Sequence, residues 1–293
     1  MKTFALFSKT LRDVRGATIG IALLVGGMAV VDLLIYPSYR DSLKNFQMPE
    51  AMAGFLGEAS DVSSPQGFIT AEFFSWIPLV LLILAIAGGT AAFAGEEGSG
   101  TLDLLLSQPI KRWELAAAKA AALGASIAIA ALAALVGFAI GKSLVEFEIS
   151  LGRLFEAALY MLPVAFLFLG LSLLASATLP SRGSAAMVIT GIAVIAYFIQ
   201  ILGEAAPVLK RVRNVSPFYW SEPSRVIVNG FDWVRAGTML MLAFVAVMLA
   251  MFMFERREIS SGAREWHMRP STLRNVRLIL RRHSTAPTRE TTR

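Results

Sequence analysis

The chain contains no cysteine, only two histidines (His267 and His283), and only 16% charged residues across 293 positions. Without cysteine there is no disulfide framework and no thiolate metal site, and the redox compartment stays undetermined. Both histidines fall in the last thirty residues, so no His-ligated haem or catalytic zinc can sit in the apolar body. Soluble domains carry about 25% charged residues. The low charge therefore argues against a soluble domain, and the 56% hydrophobic content excludes a disordered chain. What is abundant is apolar sequence, in long runs.

Six runs are long enough to cross about 30 Å of hydrocarbon as a helix: Ala17–Tyr36, Trp76–Ala94, Ala120–Ile140, Ala157–Ala177, Ala185–Leu202 and Ala236–Phe254. Together they carry one charged side chain, Asp32. They lack the alternation of barrel strands, and helices satisfy every backbone group within the segment. The fold class predicted is an all-α polytopic membrane protein with six transmembrane helices. The first run is followed by Pro37, Ser38 and Tyr39 rather than a small-residue cleavage site, which marks a retained helix. Residues 2–14 set Phe4, Leu6, Phe7 and Leu11 among Lys2, Lys9 and Arg12, the pattern of a short interfacial helix before the chain turns inward.

With both termini cytoplasmic, eighteen Lys and Arg lie on the inner side against nine outside, but ten of the eighteen belong to the tail after Phe254. The positive-inside rule thus supports that orientation chiefly through the tail. The outer segments are then 37–75, 141–156 and 203–235. In the first, Pro49 opens a helical stretch that places Met52, Phe55 and Leu56 on one face. In the third, Pro217-Phe218-Tyr219-Trp220 suits either interfacial anchoring or substrate release.

Between the second and third runs the chain reads Gly95-Glu96-Glu97-Gly98-Ser99-Gly100-Thr101-Leu102-Asp103-Leu104-Leu105-Leu106-Ser107-Gln108-Pro109-Ile110-Lys111-Arg112. This predicts a flexible acidic start and a short helix over Thr101–Ser107 with Leu102, Leu105 and Leu106 on one face. Pro109, lacking an amide proton, ends that helix, and Lys111 and Arg112 mark the return to the membrane. Exposed leucines on such a helix need lipid or a protein groove.

This stretch resembles the coupling segment of the ABC-2 family of ATP-binding-cassette exporter permeases. The likeness rests on Glu96, Glu97, Gly100, Thr101, Leu102, Asp103, Leu104, Leu105, Leu106, Ser107, Pro109, Arg112 and Lys119. Gly67-Phe68, Phe73-Phe74 and the closing Phe254-Glu255-Arg256-Arg257-Glu258-Ile259 add to it. The dense match spans the loop and its flanks; the six-span layout extends it loosely over residues 1–259, leaving 260–293 as a basic cytoplasmic tail. The resemblance implies an inner-membrane permease with both termini cytoplasmic, paired with a second permease copy or a similar subunit. It also implies two copies of a separate cytoplasmic ABC ATPase subunit, which binds ATP and Mg, with no cofactor or metal in this chain. Thr101–Ser107 would be the coupling helix seated in an ATPase cleft. Glu96 and Glu97 would border that joint, paired with basic groups on the partner or on residues 2–15, or simply form a solvated loop. The family's cargoes are drugs, antibiotic peptides or lipids, carried along an interface among the first, second and fifth spans.

Other features are weaker. Gly141-Lys142-Ser143 lacks the leading glycine of a phosphate-binding loop, since Val136 stands there, so ATP hydrolysis falls to another chain. Gly98-Ser99-Gly100 has no base within reach to activate a serine. With neither motif supporting chemistry in this chain, the resemblance implies a transporter subunit rather than an enzyme. Asp32, near the outer end of its run, is either structural, cavity-lining or a candidate for the substrate path. A carrier driven by ions would bury more ionisable groups along a relay; that class, and a non-transporting membrane anchor, stand as the alternatives. Ala117, Ala121 and Ala125, Gly124 with Ala128, and Gly137 with Gly141 form small-residue ridges for close helix packing or a lateral cavity. Pro78 and Pro163 predict kinks. In the tail, Leu273, Val276 and Leu280 share a face among arginines, suited to an anionic leaflet or to docking on the ATPase. No nucleic-acid signature accompanies these charges, so the expected partners are the bilayer and protein.

Overall fold

A computed structural model describes residues 2–43, 64–102, 110–205 and 212–257. Among them there is no strand, and six helical segments are long and apolar enough to cross a membrane: Thr3–Arg40, Pro65–Ser99, Arg112–Leu144, Leu151–Thr178, Arg182–Gly203 and Trp233–Arg256. These first to sixth spans contain the six runs read from sequence and extend each at one or both ends. The fold is an all-α polytopic membrane protein.

The fourth span is the centre of the bundle. Its most apolar window is 72% buried within the protein, whereas the corresponding windows of the first and sixth spans are 28% buried and leave most of their side chains facing outward. Helix against helix in lipid is held by close packing rather than by hydrophobic exclusion, and glycine sets where that happens. A Cβ added at Gly137 of the third span would stand 2.2 Å from the Gly26 carbonyl oxygen and 2.7 Å from Ala29 Cβ of the first. At Gly141 it would meet Leu33 Cβ at 3.0 Å. Along the same seam the Thr18 and Ser126 hydroxyls are hydrogen-bonded at 2.5 Å. Of the predicted ridges, Gly137 with Gly141 makes this seam. Gly124 reaches only ordinary contact with Phe166 and Leu169, and Ala121 is exposed. Gly170 of the fourth span plays the matching part against the sixth, where an added Cβ would stand 2.8 Å from the Ala243 carbonyl oxygen.

Two expectations change. The first helix runs unbroken from Lys2 to Leu43, so residues 2–14 are helical but continue straight into the span. No proline interrupts Arg15-Gly16-Ala17, and glycine costs a helix only about 1 kcal/mol, too little to force a turn. The prolines at 78 and 163 sit in the first turn of the helices Ile77–Thr90 and Leu162–Thr178, where their missing amide proton has no partner to lose. The second and fourth spans break just before them, at Trp76 and at Tyr160-Met161, so each proline starts a segment instead of bending one.

At one end of the bundle, Phe68, Phe73 and Phe74 are buried, with Tyr36 between Phe68 and Phe147 at 5.1 Å from each and Phe73 against Phe138 at 4.9 Å. Lys142 donates to the Phe147 and Ile149 carbonyls, closing the third span's end. The Gly141-Lys142-Ser143 motif is accounted for by this packing. The Pro217–Trp220 cluster folds back on the bundle: Phe218 is buried against Phe168 and Tyr197, and the Tyr219 ring lies under the guanidinium groups of Arg213, Arg225 and Arg235. Glu222 bridges Arg213 at 3.7 Å and Arg225 at 3.3 Å. The Pro49 stretch and the residues after Arg257 lie outside the described residues.

Candidate coupling site

The loop predicted to carry the coupling begins where the second span ends, and its root is built by a change of helix type. Residues Ala91–Gly95 form a π turn, in which bonds reach one residue further than in an α-helix. The Ser176 hydroxyl of the fourth span fills the gap: it accepts from the Phe93 amide at 3.1 Å and the Ala94 amide at 3.0 Å, and donates to the Thr90 carbonyl at 2.9 Å. Ser176 is fully buried. Replacing it with alanine strands two buried amides, each worth about 1–3 kcal/mol when unsatisfied. The Ser176→Ala protein is expected to melt several degrees lower in detergent, while Ser99→Ala, at an exposed hydroxyl, leaves the melting temperature within about 1 °C, since surface substitutions change stability by about 0.5 kcal/mol or less.

Beyond the π turn the chain makes one α turn, Glu96–Ser99, and stops at Gly100, whose φ of 72° is the left-handed geometry that glycine adopts without strain. The Thr101 hydroxyl donates back to the Glu96 carbonyl at 3.3 Å, and Leu102 is 1% exposed. The flexible acidic start expected from Glu96-Glu97-Gly98 is therefore a helical turn. Nor do its carboxylates form a solvated loop, and among the described residues neither is ion-paired with residues 2–15. Glu96 is ion-paired with Lys119 of the third span, which also donates to the Ala92 carbonyl at 2.6 Å. Glu97 is paired with Arg257 at 2.7 Å.

Arg257, just past the sixth span, also donates to the Ser176 and Leu179 carbonyls at 2.8 and 3.1 Å, satisfying the open end of the fourth span. Arg112, at the start of the third span, donates in turn to the carbonyls of Arg257 at 2.7 Å, Glu255 at 3.3 Å and Phe254 at 3.5 Å. Phe93 stacks on Phe254 at 4.2 Å beneath these bonds. Four helix ends, those of the second, third, fourth and sixth spans, are thus tied through two carboxylates, two arginines and one lysine. The loop root is thereby bonded to the ends of all four spans, not only to the second and third that flank it in the chain.

Of the residues singled out from sequence, Glu96, Glu97 and Arg112 meet in this cluster, and Gly100, Thr101 and Leu102 lie at its edge. Asp103, Leu104, Leu105, Leu106, Ser107 and Pro109 lie outside the described residues. Asp32 does not join: it is 4% exposed on the first span, 15 residues or about 22 Å of helix beyond Ala17, which lines a cavity reaching Glu96. Its Oδ2 makes no hydrogen bond among the described residues. Sequence reasoning left out Ser176, which resembles any small residue of an apolar span. Lys119 and Arg257 were quoted only for likeness; the signal in Lys119 is that it is the lone cation between Arg112 and Lys142.

No curated protein gives a significant match to the chain in sequence. A family model does: residues 5–259, covering all six spans, match the ABC-2 family transporter protein model. With six apolar helices and the coupling-type loop between the second and third, the chain belongs to the ABC-2 family of transporter proteins.

Proposed function

We propose that the chain is the permease subunit of an ABC-2 exporter in the cell (inner) membrane, with both termini cytoplasmic. Two permease copies, or this chain and a similar subunit, work with two copies of a cytoplasmic ABC ATPase subunit that binds ATP and Mg. Family membership supports the association with an ATPase. Residues 101–107 seat in the ATPase, and a hydrophobic or amphipathic cargo passes among the first, second and fifth spans. Asp32 is the candidate for a contact further along that path.

One observation carries the reading: the acidic turn after the second span is bonded to the ends of the third, fourth and sixth spans rather than hanging free. A lever works only if its root is stiff. Ion pairs supported by hydrogen bonds to a charged group contribute about 1.5–3 kcal/mol each, enough to transmit a displacement rather than absorb it.

The test separates docking from transmission, using the ATPase subunit that co-purifies with the chain. Changing Leu105 and Leu106 together to Asp is expected to abolish co-purification. Arg257→Gln is expected to leave co-purification intact while lowering transport-stimulated ATP hydrolysis about tenfold, the factor that corresponds to some 1.4 kcal/mol of lost coupling. Normal ATPase binding by the Leu105/Leu106 variant contradicts the docking assignment. Full stimulation in Arg257→Gln contradicts transmission through the cluster.

A further inference from the structure

Two cavities meet beside the coupling cluster. One is an apolar groove of about 580 Å³ between the second and fifth spans, walled by residues such as Leu82, Ile86, Ala193 and Val194. The other, of about 510 Å³, lies among the first, second and third spans and carries Asp13, Glu96, Lys119 and Arg182. Ile83, Ala87 and Arg182 line both, so the two are arms of one cleft.

The charges of the cleft are not all neutralised from within. Glu96 and Lys119 satisfy each other. Asp13 and Arg182 line the same arm, are both exposed, and make no ion pair or side-chain hydrogen bond among the described residues; Lys119, already paired with Glu96, acts on Asp13 only through space. A cation and an anion left apart on one cavity, beside low-dielectric walls, are matched by a ligand that carries both charges. The groove beyond Arg182 supplies the third element. It runs to Tyr197, fifteen residues or about 22 Å of helix further on. There the Tyr197 hydroxyl donates to the Ser75 carbonyl of the second span at 2.9 Å and bridges the two walls. One leaflet of hydrocarbon is about 15 Å deep, half the 30 Å core, so an acyl chain entering at Arg182 fits inside the groove.

We infer that this cleft binds a phospholipid with an amine-bearing zwitterionic headgroup: phosphate on Arg182, ammonium on Asp13, and one acyl chain between the second and fifth spans. As a binding site it stands without the exporter reading; as the cargo site it rests on that reading and narrows the cargo class to one.

Native mass spectrometry of the purified chain, without ATP or any ATPase, tests the binding alone. With equal phosphatidylethanolamine and phosphatidylglycerol added, the unaltered chain is expected to retain phosphatidylethanolamine several-fold more. Arg182→Gln is expected to lower retention of both lipids about tenfold, and Asp13→Asn to make the two lipids equal. Ala87→Trp, at an exposed position shared by both arms, is expected to empty the cleft. Retention unchanged in Arg182→Gln overturns the site. Preference for phosphatidylglycerol in the unaltered chain overturns the headgroup assignment, and an empty cleft in a dimer shows that a second copy of the chain occupies it instead. Lipid selectivity of this pattern together with ATP hydrolysis that ignores the chain leaves the site standing and removes only the exporter reading.

Discussion

Gly137→Val is expected to leave little folded protein. The first and third spans touch backbone to backbone there: a Cβ at Gly137 stands 2.2 Å from the Gly26 carbonyl oxygen and 3.0 Å from its carbonyl carbon. A flexible side chain could yield, but a helix backbone bonded along its length cannot, so the two spans must separate. Overpacking in a tight core costs about 1–3 kcal/mol, and here one seam holding several close contacts opens at once. The close approach of Gly26 to Ala133, where an added Cβ would stand 2.9 Å from the Ala133 carbonyl oxygen, and the Thr18–Ser126 bond lie on the same interface and go with it. The control is Gly27→Ala, one residue along from Gly26, where an added Cβ meets nothing within 4 Å. It is expected to keep the yield of monodisperse protein and its melting temperature, or raise the latter slightly through helix propensity. Equal losses from the two substitutions contradict this packing.

Lys119→Met is expected to be the most damaging change of a charged residue. Lys119 is 4% exposed, in contact with the Glu96 carboxylate and the Ala92 carbonyl. Removing one member of a buried pair costs about 3–5 kcal/mol because the other charge is left without compensation, whereas replacing both with apolar or neutral groups is often close to neutral. Glu96 keeps some contact with water, its side chain being 22% exposed, which places the loss toward the lower figure. Lys119→Met is therefore expected to lower the melting temperature strongly, and Lys119→Met with Glu96→Gln to recover most of it. If the double variant is as unstable as the single one, the lysine matters through packing and the ion pair does not.

How far the molecule was legible in its sequence follows from which interactions are periodic. Spans are written as runs, because lipid demands an apolar residue at nearly every position; all six were locatable, with ends one to fourteen residues inside the helix ends, because polar capping and interfacial residues extend the helices. Asp232, for example, starts the sixth span by accepting from the Val234 and Arg235 amides, four residues before the apolar run begins at Ala236. The loop was recognisable by its residues, and Glu96, Glu97 and Arg112 were named. Their partners were not, because the Glu97–Arg257 pair and the Arg112 bonds to 254–257 join positions more than a hundred residues apart, and no local pattern encodes such a meeting. A charge in a sequence states that a counter-charge is needed and not where it is. The same holds for the π turn at Ala91–Gly95, which exists because a serine on another span supplies what its backbone lacks. The continuous first helix was misread as two elements because charge and hydropathy change near residue 15, while backbone geometry does not.

The absence of cysteine makes the central claim directly testable, since a single introduced thiol is the only reactive one. Leu105→Cys, in intact cells treated from outside with a membrane-impermeant maleimide, is predicted to remain unlabelled, to label once the membrane is permeabilised, and to be shielded when the ATPase subunit is bound. Labelling from outside in intact cells contradicts the account, because a loop on that side can never meet an ATPase in the cytoplasm.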